Sequence, residues 1–96
     1  MTITCTRFRP YNKNTLQGFA TLLVDDTGME INSISVHRKG SEKWLGFPSH
    51  ETNEKGEKKY YSYIYFPDRE QQRKFVHQAM LAIEKKINEP EQSEIF

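Results

Sequence analysis

Along the chain the apolar residues come first in short alternating or continuous runs, then, beyond Pro67, in a three- and four-residue rhythm. The first pattern predicts strands and the second a helix. Thr2, Ile3, Thr4, Thr6 and Phe8 form a first strand, Thr2 to Arg9, which Pro10, Asn12 and Asn14 close. From Gly18 to Asp25 the run Phe19-Ala20-Thr21-Leu22-Leu23-Val24 is nearly continuous, as in a central strand covered on both faces. Asp25, Asp26, Thr27 and Gly28 give a tight turn. Met29 to Arg38 sets Ile34 and Val36 against Ser33, Ser35 and His37, with Ile31 out of phase, which a bulge near Asn32 explains. Lys39 to Ser41 make another turn, after which Lys43 to Pro48 can continue the sheet.

His50 to Lys59 holds no apolar residue and reads as a mobile loop. Tyr60 to Phe66 follows as an aromatic strand, with Tyr61, Tyr63 and Tyr65 on one face and Tyr60, Ile64 and Phe66 on the other. Asp68 is then an N-cap, with Gln71 at the capping-box spacing. Phe75, Val76, Ala79, Met80, Ile83 and Ile87 form one helical stripe. Leu81 points nearly opposite that stripe, among Lys74, His77, Gln78 and Lys85, and is the expected dimerisation residue. Asn88 and Pro90 end the helix. The expected fold is α+β, a four-stranded antiparallel sheet followed by a C-terminal helix (ββββα), dimeric.

With 96 residues and 35% hydrophobic content, the chain has material for one thin core. A mean hydropathy of −0.83 makes help from a second copy plausible. Charge divides unevenly: every Lys and Arg lies at or before Lys86, so residues 1–88 carry +4 and the last eight carry −3. Residues 1–88 therefore read as one domain and 89–96 as an acidic flexible tail. No apolar stretch approaches the roughly 20 residues of a membrane span, and a lone Cys5 forms no intramolecular disulfide. A cytoplasmic, soluble protein is expected.

Chemistry finds little support. His37, His50 and His77 fall on separate elements without HExxH or CxxC spacing and read as ordinary surface or sheet histidines. Asp25 and Asp26 belong to a turn, and the phosphate-binding glycine motifs are missing. No enzyme activity, no metal and no cofactor are expected. The basic and aromatic residues are better placed: Arg7 and Arg9 share a strand face, Arg38, Lys39 and Lys43 surround Trp44, and Lys58 and Lys59 run into Tyr61 and Tyr63. Cations for phosphates and rings for bases are what single-stranded nucleic acid requires.

The segments Thr6 to Arg9, Val24-Asp25-Asp26 and Lys43-Trp44-Leu45-Gly46-Phe47-Pro48-Ser49 resemble the bacterial stage V sporulation protein G family. Ile64 through Phe66 to Glu70-Gln71-Gln72 and Phe75 resemble the strand-to-helix junction of the transcriptional coactivator family called positive cofactor four. The resemblance implies a homodimer that binds single-stranded DNA along its sheet, in replication, recombination or transcription, with Arg7, Arg9, Lys58, Lys59, Trp44 and Tyr61 as contacts. Glu89, Glu91, Glu94, Ile95 and Phe96 look like the acidic, phenylalanine-ended tips of bacterial and viral single-strand-binding proteins, which implies capture of replication or recombination proteins. Two alternatives are a duplex-binding regulator using Arg69 and Arg73 of the helix, and a protein-interaction module that does not bind nucleic acid.

Overall fold

The computed structural model describes residues 2–89. Seven elements follow one another: β1 (Ile3–Lys13), β2 (Leu16–Val24), β3 (Met29–Lys39), β4 (Glu42–Gly46), β5 (Ser49–Glu54), β6 (Glu57–Ser62) and α1 (Arg69–Ile87). The first four form an antiparallel meander in the order β1-β2-β3-β4, and β5 pairs only with β6. The α+β architecture with a four-stranded sheet and a C-terminal helix is thus as expected from sequence.

Short turns set this topology. Gly28 (φ 72°) closes the β2–β3 turn, with its N–H donating to the Val24 carbonyl at 2.8 Å. Gly40 (φ 65°) serves the β3–β4 turn. The expected bulge is present: Ala20 pairs with Ile34 and Leu22 with Ile31, which leaves Asn32 and Ser33 facing Thr21, with Ser33 at φ 63°. The extra residue restores Ile31 to the buried face. A second bulge in β1 sets Cys5 opposite Leu22 but Arg7 opposite Thr21. Burial therefore switches phase along β1, from Ile3 and Cys5 to Phe8.

One sheet face and the helix share the core: Ile3, Cys5, Ala20, Leu22, Val24, Ile31, Ile34 and Val36 meet Phe75, Ala79 and Ile83. Gly18 is needed there, because a Cβ would sit 2.6 Å from the Phe8 ring and 2.5 Å from the Arg9 carbonyl. Phe47, Phe66 and Phe75, with centroids 5.2 to 6.1 Å apart, fasten the segment after β6 to the helix. Asp68 caps α1 through its Oδ1, which accepts from the Glu70 N–H at 2.9 Å. Gln71 does not return the bond, so the cap is single. Glu70 in the first turn and Lys85 and Lys86 in the last oppose the helix dipole.

Five expectations need correction. First, β1 runs on to Lys13 through Pro10, which an edge strand tolerates because its outward N–H is not needed for pairing. Second, β2 is covered on one face only, with Phe19, Thr21 and Leu23 partly exposed on the other. Third, the polar stretch 50–59 is a hairpin rather than a loop, closed by Lys55 and Gly56, both at positive φ. Fourth, the aromatic segment supplies no strand to the main sheet: β6 ends at Ser62, and β4 takes the fourth place. The helical stripe is also narrower than its sequence rhythm, since Ile87 is exposed and Ala82 packs on the core instead.

Candidate nucleic-acid interface

The sheet face turned away from α1 is open. Register fixes its residues: Arg7 lies opposite Thr21, Arg9 opposite Phe19, Phe19 opposite Ser35, Ser35 opposite Gly46, and His37 opposite Trp44. The guanidinium carbon of Arg9 stands 5.6 Å from the Phe19 ring centroid, within cation–π range. Tyr11 joins the same ring at 6.3 Å. Neither Arg7 nor Arg9 has an ion-pair partner among the described residues, so both leave their charge available. Two strands beyond Phe19, at about 4.8 Å per strand, the Trp44 ring lies parallel to His37 at 5.4 Å and 3°.

A chain of hydrogen bonds holds His37. Its Nδ1 lies 3.0 Å from the Thr15 hydroxyl and its Nε2 lies 3.1 Å from the Ser35 hydroxyl, which itself donates to the Gly46 carbonyl at 3.2 Å. Beside Arg7, Thr6, Thr21, Glu30 and Asn32 line a shallow polar hollow of about 330 Å³.

The expected contacts are divided among three places. Arg7, Arg9, Lys39 and Trp44 share the open face by strand alternation. Arg38 and Lys43 do not: they alternate onto the helix side, where the Lys43 ammonium bonds Glu84 at 2.8 Å and Arg38 Nε donates to the Gly40 carbonyl. Lys58, Lys59, Tyr61 and Tyr63 belong to the β5–β6 arm and its exit. That arm is electrically balanced, with three lysines and three glutamates between Ser49 and Ser62. Lys58 approaches Glu51 at 3.8 Å and Lys59 approaches Glu54 at 4.0 Å. His50 stacks on both Tyr61 and Tyr63, at 5.6 and 5.1 Å. At the foot of the arm an apolar groove of about 540 Å³ opens between Met29, Ile31, Pro48, Tyr63 and Tyr65.

Phe19, Tyr11 and His37 escaped the sequence reading. The alternation Arg7, Arg9, Tyr11 was the available signal, hidden by ending the strand at Pro10. Leu81 is 51% exposed, and Arg73 pairs with Glu70 at 3.4 Å on the helix surface. Glu91, Glu94, Ile95 and Phe96 lie outside the described residues. Burial raises the Cys5 thiol pKa above its ordinary range, and no cluster of three metal-ligating side chains occurs among the described residues. None of the helices described is long and apolar enough to cross a membrane. Comparison with protein families, curated proteins and solved structures finds no match.

Proposed function

We propose that the protein binds single-stranded DNA across the open face of its four-stranded sheet, with little sequence preference and without chemistry, in replication, recombination or transcription. The observation that carries this reading is the presence of Arg7, Arg9, Phe19 and Trp44 on one face that α1 leaves uncovered. Arg7, Arg9 and Lys39 are suited to phosphates, while the Phe19 and Trp44 rings are suited to bases, each stack being worth about 1–3 kcal/mol. A duplex keeps its base faces inside its own stack, so rings on an open sheet favour unpaired strands. Lys58, Lys59, Tyr61 and Tyr63 act as secondary contacts on the arm, because nearby carboxylates offset the two lysines. Association of two copies through the exposed Leu81 on the outer side of α1 is part of the proposal.

Fluorescence anisotropy with labelled oligo-dT, oligo-rU and a matched duplex tests the reading. Oligo-dT should bind tightest, and log K should fall with log salt by about 0.7 per phosphate contacted. Exchanging Arg7 and Arg9 together for Glu should abolish binding. Equal affinity for the duplex, or binding insensitive to salt, overturns the proposal; a preference for oligo-rU transfers it to RNA. A second reading, protein docking, is favoured by the apolar groove at the foot of the arm, and would leave the anisotropy flat with all three probes.

A further inference from the structure

The only tryptophan of the chain sits on an edge strand, 40% exposed, with one ring face against an imidazole that is itself tied at both nitrogens. The direction of that tie follows from counting protons. The Ser35 hydroxyl has one hydrogen, and it is spent on the Gly46 carbonyl. Nε2 of His37 must therefore donate to the Ser35 oxygen, and in the neutral ring Nδ1 then accepts from the Thr15 hydroxyl. Thr15, His37, Ser35 and Gly46 thus form one relay in which every donor has an acceptor. It runs from the β1–β2 turn to β4 and fixes the plane of the imidazole.

Gly46 is part of this device. A Cβ there would collide with the Ser35 hydroxyl oxygen, so any other residue displaces the group that accepts the hydrogen bond from Nε2. Its backbone φ is not positive, and the close approach of Ser35 is the reason a side chain is not accommodated.

We infer that His37 is a positioning residue for nucleic-acid binding: through their parallel contact it holds the Trp44 ring preformed, with much of its surface exposed to take a base. The inference rests on the reading that Trp44 stacks a base. Ordering a free side chain on association costs about 0.5–1.5 kcal/mol, so a platform held before binding gains about two- to tenfold in affinity. The imidazole contributes no phosphate contact, since both its nitrogens are used within the sheet.

Single-tryptophan emission and oligo-dT binding test the two parts separately. In the free protein, His37→Ala should lower the steady-state anisotropy of Trp44 and raise its quenching by acrylamide. Oligo-dT affinity should fall about two- to tenfold with the salt slope unchanged, because no phosphate contact is lost. His37→Phe, which restores a flat ring without the relay, should recover part of the affinity. Ser35→Ala and Thr15→Val, milder changes that leave both rings in place, should loosen Trp44 in the same sense. Unfolding midpoints of all four variants separate loss of fold from loss of positioning. If Trp44→Ala binds oligo-dT as the parent does, Trp44 stacks no base and the underlying reading fails. If Trp44→Ala weakens binding but His37→Ala, Ser35→Ala and Thr15→Val leave both anisotropy and affinity unchanged, the positioning role fails and the stacking role stands. A salt slope that drops in His37→Ala would make His37 a phosphate contact and overturn the inference as well.

Discussion

The main sheet and the β5–β6 arm are built from the same unit, antiparallel strands joined by short turns with residues at positive φ, yet different forces hold them. In the sheet, alternate residues of β2 and β3 enter a core shared with α1, and Leu22 and Ile34 are fully buried. In the arm, only Thr52 is even half-buried, and the pairing rests on backbone bonds, the His50 stacks and weak ion pairs. A lone hairpin of this length is marginal in water, so the arm depends on the sheet for its anchorage and opens more easily. The side chains on the open sheet face are accordingly held more firmly than those of the arm. The sheet's rings are set by a packed scaffold, whereas those of the arm move with a hairpin that has no core.

The largest effect should come from the core. Leu22→Ala should cost about 2–5 kcal/mol in urea unfolding, while Tyr60→Ala at the arm should stay within about 0.5 kcal/mol. Comparable losses at the two positions would mean that the arm is packed against something as firmly as the sheet.

Gly18→Ala comes next, at about 1–3 kcal/mol, because the added methyl meets the Arg9 carbonyl and the Phe8 ring and neither can retreat far. The measurement is again the urea midpoint. Gly56→Ala, at φ 79° with open space around it, adds strain but no clash. A local cost of about 1 kcal/mol is expected there. Hydrogen exchange should show faster amides in residues 49–62 with the global midpoint nearly unchanged; a matching drop in global stability would break the distinction between the two regions.

The smallest effect concerns Cys5, buried under the helix. Burial raises its thiol pKa, so the folded state holds this proton more tightly than the unfolded chain does. The resulting stability is present at neutral pH and is lost as pH rises above the ordinary thiol range. Stability should therefore decline on the alkaline side more in the parent than in Cys5→Ala. Labelling of the thiol should follow unfolding of the sheet and not opening of the arm.

The chain's own pattern determined a good deal. The turn at Gly28, the bulge at Asn32, the Asp68 cap and the Phe75-Ala79-Ile83 stripe are local, each set by the φ, hydrogen-bonding or burial needs of a few neighbouring residues. The placement of Arg7 and Arg9 on one face was legible too, since alternation is a property of the strand itself. Tertiary structure decided the rest. The arm has no apolar periodicity because it buries no apolar side chain, so only its Lys55-Gly56 turn marked it in the sequence. That β4 and not the aromatic segment completes the sheet depends on pairing partners far apart in the chain, and hydrophobic pattern reports burial without naming the partner. For the same reason, the side on which Lys43 lies and the stack of Trp44 on His37 became visible only through the register of β3 against β4. A shift of one residue there would have exchanged the two faces.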